Sequence, residues 1–172
     1  MKSLMIRGSI ATGKTTTSRT LFNLLRRNNF PCSYFSFDYF YKNFFYSTFQ
    51  EFSEERVLES GKHFVPLIKG IQEGGRFPII EGVFIEPLFN YVNSELDDMY
   101  TITLTCDLKK CVERNLTRKK VLDTQHVIGN WKHNKGNLFG EVIRTDYQDT
   151  DTIVSYLYDK ILNESYNYCY YN

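Results

Sequence analysis

Apolar and polar positions follow two rhythms along the chain. Strand patterns recur at 3–7 (SLMIR), 32–37 (CSYFSF), 77–84 (FPIIEGVF), 100–106 (YTITLTC) and 141–145 (EVIRT), and the first, a short apolar run ending at Gly8, reads as a buried strand. Between them the apolar spacing lengthens to three and four. Residues 14–28 place Leu21, Leu24 and Leu25 on one face, with Arg26 and Arg27 at the end, where cations complement a helix dipole. Ser53 before Glu54 and Glu55 predicts a helix start. That helix is expected to run to Gly74 and Gly75, with an interruption at Pro66. A short helix over 87–96 and a helix from 108 to about 120, capped by Asp107, come next. A final helix is capped by Thr150 or Asp151, and its Ile153, Val154, Leu157, Ile161 and Leu162 form one apolar stripe. An aromatic loop is expected at 39–49, and a polar, basic, mobile loop at 131–137 around Trp131. Strands alternating with helices predict a parallel sheet covered on both faces.

With 172 residues, the chain suffices for one domain, read as 1–172, with a sizeable core. Lys and Arg total 21 against 20 Asp and Glu, a net charge of +1. That balance argues against general electrostatic binding of nucleic acid, while leaving room for a local groove that takes a strand end. No secretory pattern and no apolar run near ~18 residues is present, so no membrane segment is expected. Cys32, Cys106, Cys111 and Cys169 make no CxxC pair and no zinc spacing. Buried free thiols in a reducing, cytoplasmic compartment are expected. His63, His126 and His133 share no spacing and read as surface or packing residues.

The stretch GSIATGKTT (8–16) brings chemistry into this frame. Gly8, Gly13, Lys14 and Thr15 satisfy G-x-x-x-x-G-K-[ST], with a predicted strand before and a predicted helix after. The glycines let successive N–H groups point inward as an anion nest, and the following helix adds its positive end. Gly8, Ala11, Thr12, Gly13, Lys14, Thr15 and Thr16 are therefore the expected phosphate-binding residues. Lys14 supplies a point charge, and the Thr15 hydroxyl is a Mg²⁺ ligand. The expected fold is a three-layer αβα P-loop NTPase fold with a central, mostly parallel five-stranded sheet, and ATP and Mg²⁺ are the expected cofactors.

Two carboxylates stand at strand ends, where ligands of such sheets bind. Asp38 follows the second strand, placed to take a hydroxyl proton or to hold Mg²⁺. Glu81 lies toward the end of the third strand, before Gly82, where a carboxylate can hold Mg²⁺ or its water and a glycine permits close backbone approach. FDYFYK (37–42) and PIIEGVFI (78–85) together resemble the corresponding segments of the uridine kinase and nicotinamide riboside kinase group of P-loop kinases. The resemblance implies that Asp38 is the catalytic carboxylate and that Tyr39, Phe40, Tyr41 and Lys42 shape the acceptor pocket. The long closing hairpin of the uridine kinases is not evident between Asp38 and Glu81. A similar order of landmarks occurs in polynucleotide 5′-hydroxyl kinases, chloramphenicol phosphotransferases and zeta-toxin-like kinases.

CVERNLTRKK (111–120) places Arg114 and Arg118 four apart, on one face of the predicted helix. They are expected to belong to a lid, roughly 111–137, whose guanidiniums clamp phosphate oxygens during transfer. RTDYQDT (144–150) is expected to lie against the base. The reading that follows is an ATP-dependent kinase acting on a nucleoside, nucleotide or similar small molecule. A polynucleotide 5′-hydroxyl kinase and a nucleotide-dependent switch are the alternatives. A switch would lack an acceptor-side carboxylate such as Asp38.

Overall fold

All six residues of β1 (Ser3–Gly8) are buried, as befits the middle strand of a sheet covered on both faces. The computed structural model describes residues 1–45 and 53–165. After β1 come α1 (Lys14–Arg27), β2 (Cys32–Ser36), α2 (Phe37–Phe44), α3 (Glu54–Glu73), β3 (Phe77–Gly82), α4 (Glu86–Glu95), β4 (Met99–Thr105), α5 (Leu108–Leu116), α6 (Thr124–Asn134), β5 (Glu141–Arg144) and α7 (Thr150–Glu164). The strands pair in parallel in the order β2-β3-β1-β4-β5. The expected layered α/β architecture is the one observed.

Pleating divides the apolar side chains between two cores. Leu4 and Ile6 join Leu21 and Leu25 of α1 with Leu157 and Ile161 of α7. Met5 joins Ile80 of β3, Phe64 and Ile68 of α3, and Leu88 and Val92 of α4. A third cluster gathers Cys106, Cys111 and Val127 beside Ile10 and Ala11 of the phosphate loop. In α7 the predicted stripe is buried except for Leu162, which is exposed.

Several local expectations give way. The described part of the expected aromatic loop is helical. Ser36 caps α2 by accepting from the Tyr39 N–H, and Phe37–Tyr41 and Phe40–Phe44 pack as ring pairs one turn apart. The rest of that stretch, from 46, lies outside the described residues. Pro66 does not interrupt α3. Lys62, whose carbonyl the proline leaves unbonded, is exposed, so water can take that bond. Asp149 caps α7 by accepting from the Thr152 N–H at 2.8 Å, one residue before the predicted cap. Residues 131–134 form the last turn of α6 instead of a mobile loop.

The cysteine expectation also changes. The first turn of α5 folds Cys111 back beneath the end of β4, where its sulfur is joined to that of Cys106, with the Cα atoms 6.5 Å apart. Cysteine usage therefore no longer argues for a reducing compartment. Cys32 is buried and free, and Cys169 lies outside the described residues.

Helix α5 stops at Leu116, short of the predicted 120. The cause is Asn115, wholly buried, whose side chain donates to the Leu122 carbonyl at 2.8 Å and accepts from the Leu122 N–H at 3.2 Å. That pair closes the turn between α5 and α6. Asn115→Ala would leave both Leu122 groups without their partner. It should cost about 2–3 kcal/mol, read as a lower urea midpoint with an unchanged slope.

Candidate active site

Residues 8–16 wrap over the head of β1. A Cβ at Gly8 would run into the Leu104 carbonyl of β4, so only glycine fits there. Gly13, with φ 96°, opens α1 in a left-handed conformation. Ala11 is left-handed too, at φ 64°, without glycine's freedom, a strain of order 1 kcal/mol that recurs at ligand loops. The Ser9 carbonyl gathers the loop inward. It accepts from the Thr12 hydroxyl at 2.9 Å and from the Lys14 ammonium at 2.8 Å. Lys14 is thus folded back over its own loop and is only 6% exposed.

The pairing of β1 with β3 sets Ile6 opposite Glu81, which brings the Glu81 carboxylate beside the start of α1. Its Oε2 accepts from the Thr15 hydroxyl at 3.2 Å, and its Oε1 from the Tyr34 hydroxyl at 3.0 Å. Burial, and then Glu81, push the Tyr34 phenol up to about 12. Tyr34 did not stand out in the sequence. Its place on β2, two residues before Ser36, which pairs with Glu81, was the available signal. Thr16 is exposed on the first turn of α1.

Asp38, in the first turn of α2, leans back onto the exit of β3. Its Oδ1 accepts from the Val83 N–H at 2.8 Å. Gly82 makes room: a Cβ there would sit 3.1 Å from that oxygen and 3.2 Å from the Phe84 ring. The side chain meets solvent at the cleft mouth, yet the atoms packed around its carboxyl push its pKa above the ordinary carboxylate value, with Lys14 pulling it back. Burial likewise pushes the Lys14 ammonium down, against the pull of Asp38 and Glu81.

Oxygen donors from Thr15, Glu81 and Asp38 are the kind that Mg²⁺ takes. Among the described residues no group of three or more His, Cys, Asp or Glu could hold a metal by itself. A Mg²⁺ ion here would draw its remaining ligands from phosphate and water, as it usually does.

The two arginines separate. Arg114 reaches the end of β5, donating to the Thr145 hydroxyl at 2.8 Å and the Thr145 carbonyl at 2.7 Å. It therefore borders the 144–150 loop. Arg118 lies beyond α5, exposed, and its charge acts on both Lys14 and Asp38. They do not share a helix face, because Asn115 ends the helix between them. Among the residues expected at the acceptor, Tyr39 is 68% exposed and Lys42 is exposed. Tyr41 is buried against Phe37, and Phe40 packs on Phe44, Phe45 and Phe64. Asn130 of α6 accepts from the Ile10 N–H at 2.8 Å, tying that helix to the phosphate loop. Nothing in the sequence signals this contact.

No family model and no curated protein matches the chain. Solved structures do. A sugar kinase from Janibacter sp. superposes with TM-score 0.75 at 11% identity, over 97% of this chain and 98% of the other. Thymidylate kinase from Candida albicans gives 0.66 at 14%, over 96% and 93%. Shikimate kinase from Acinetobacter baumannii, in complex with shikimate, gives 0.66 at 14%, over 95% and 94%. The fold is the one these kinases have.

The lowered Lys14 value has a sign. The folded state disfavours the charged lysine, so a penalty stands wherever the ammonium is charged in both states, and it lifts as pH rises through the lowered value. At neutral pH, Lys14→Met should therefore melt higher than the parent without nucleotide. If the loop takes MgATP, the nucleotide should raise the melting temperature of the parent and not of Lys14→Met, both read by calorimetry.

Proposed function

We propose that this chain is an ATP-dependent kinase that transfers the γ-phosphate to a hydroxyl or phosphate of a nucleoside, nucleotide or similar small molecule. The observation that carries the reading is Asp38, seated by the Val83 N–H beside the head of β3 and within the electrostatic reach of Lys14. A nucleotide-binding switch has no use for a carboxylate on that side of the phosphates. The kinase fold of the structural neighbours supports the same reading, and their differing acceptors leave this chain's acceptor to experiment.

The residues take roles in sequence. The inward N–H groups of the loop and the start of α1 receive the β- and γ-phosphates. Lys14 exchanges the Ser9 carbonyl for phosphate oxygens. Thr15 and Glu81 would hold Mg²⁺, which would neutralise charge on the phosphates when bound. Arg114, with Thr145, borders the base, and Arg118 faces the charge that builds on the transferred group. Tyr39 and Lys42, exposed beside Asp38, contact the acceptor. For a hydroxyl acceptor, Asp38 takes the proton as the oxygen bonds to the γ-phosphorus, the bond to the bridging oxygen breaks, and ADP leaves. Positioning and electrostatics supply most of the rate.

Transfer of labelled γ-phosphate to a panel of nucleosides, nucleoside monophosphates, hydroxylated antibiotics and a 5′-hydroxyl oligonucleotide tests the proposal. Label should appear on a small molecule, and Asp38→Asn should lower the rate about 10²–10⁴-fold while ATP still raises the melting temperature. Label on the oligonucleotide alone would establish an end-acting kinase instead. ATP binding with no label on any acceptor would favour the switch. A base must be ionised, and the Asp38 carboxyl titrates above the ordinary value. The rate should thus fall on acidification at a pH above the ordinary carboxylate range, and that limb should vanish from the residual rate of Asp38→Asn.

A further inference from the structure

Arg7 heads the largest fully buried side chains of the protein, and it stands on the central strand, one residue before the phosphate loop. Strand alternation sends it to the side of Met5, toward α4. Among the described residues it makes no ion pair. Its Nη2 donates to the Phe84 carbonyl at 2.8 Å, and its Nη1 to the Asn137 carbonyl and, at 3.3 Å, to the Thr103 hydroxyl. That hydroxyl donates in turn to the Phe139 carbonyl at 2.6 Å. The guanidinium carbon lies 4.7 Å from the centre of the Phe139 ring and 5.7 Å from that of Phe89, and the two rings stack at 4.1 Å. Burial pushes the guanidinium down to about 10.

A cation buried without a carboxylate is a poor way to fill a core, since an apolar side chain of similar size avoids the desolvation cost. What a guanidinium adds is a rigid fork that holds two acceptors in fixed relation. Here the acceptors belong to two segments that meet the site from opposite sides. Phe84 directly follows Val83, whose N–H seats Asp38. Asn137 and Phe139 lie in the connection leaving α6, the helix whose Asn130 grips Ile10 of the phosphate loop. A small cavity, lined by Arg7, Gly8, Ser9, Trp131, Asn134 and Asn137 among others, lies between the fork and the loop floor.

We propose that Arg7 is a positioning residue. Its fork locks the turn that seats Asp38 to the root of α6, so that base, phosphate loop and lid segment share one frame. The kinetic part rests on the kinase reading; the mechanical part does not.

Arg7→Lys keeps the charge and loses the fork. Arg7→Met keeps length and loses both. Amide hydrogen exchange of the nucleotide-free protein should show faster exchange at 83–85 and 137–139 together in both variants, with ATP affinity within about threefold of the parent. Where the parent transfers phosphate, kcat should fall about 10–100-fold, the scale of an ångström-level misplacement, with KM for ATP little changed. Unchanged exchange at both segments would overturn the proposal. So would a near-normal Arg7→Lys beside an Arg7→Met that loses ATP affinity, since charge alone would then explain the residue. Thr103→Val provides a milder probe if either variant fails to fold. It removes one anchor of the fork and the bond to Phe139, and should loosen 137–139 and lower kcat threefold or more; no change in either would also overturn the proposal. A parent without transfer would refute the kinase reading and leave the exchange result to judge Arg7.

Discussion

Parallel pairing of β1 with β3, in the register that sets Ile6 against Glu81, is the constraint on which the site depends. It places the start of α1 and the carboxyl end of β3 side by side, so Thr15 and Glu81 meet although 65 residues separate them in the chain. It also brings Gly82 to the edge of the cleft, where the missing side chain lets Asp38 lie against the backbone of the next residue. A shift of one residue would turn Glu81 to the other face of the sheet. The carboxylate would then leave the α1 side and enter the apolar layer under α3 and α4, and the cleft would lose its second acid.

The pairing of β1 with β4 is as demanding at the other edge. Gly8 lies opposite Leu104, so close that no side chain fits between them. That closeness draws the phosphate loop over β4 and onto the cluster formed by Cys106, Cys111 and Val127. Trp131 donates to the Cys106 carbonyl at 2.9 Å from the same helix that holds Ile10. The loop is therefore gripped from the sheet below and from α6 beside it, and both contacts hold its backbone in place.

What was legible in the sequence was what local chemistry fixes. The loop at 8–16 was legible because phosphate binding dictates glycine, lysine and hydroxyl positions at set spacing, and β1 and β3 because fully buried parallel strands read as near-continuous apolar runs. The helix at 37–44 does carry a helical period, with Phe37, Phe40, Tyr41 and Phe44 on one side and Asp38 and Lys42 on the other, but over two turns that period is too short to outweigh the reading of an aromatic loop. Helix α6 was hidden because only Val127 and Asn134 are buried along it. The early end of α5 depends on Asn115 finding Leu122, and the attachment of α6 on Asn130 finding Ile10. Both are single polar contacts that no pattern announces. The union of Cys106 and Cys111 falls in the same class, because it needs the turn of α5 as well as the two residues.

The arrangement around the loop is poorly matched to the stability of the free chain. Lys14 is buried with a backbone carbonyl as its hydrogen-bond acceptor, Arg7 is buried with two carbonyls and a hydroxyl as its acceptors, and Ala11 holds a left-handed conformation. Each is a local loss relative to an apolar or glycine alternative. The losses share a direction, since an anion at the loop would relieve Lys14 of its carbonyl partner and bring negative charge toward Arg7. A ligand that binds only the folded state stabilises it by an amount that grows with the ratio of its free concentration to its Kd. Strain, and buried cations that make no ion pair among the described residues, are concentrated in one place, as at a site shaped for an occupied state. Features of this kind gather where function overrides local stability, and here they surround the loop whose sequence first pointed to phosphate.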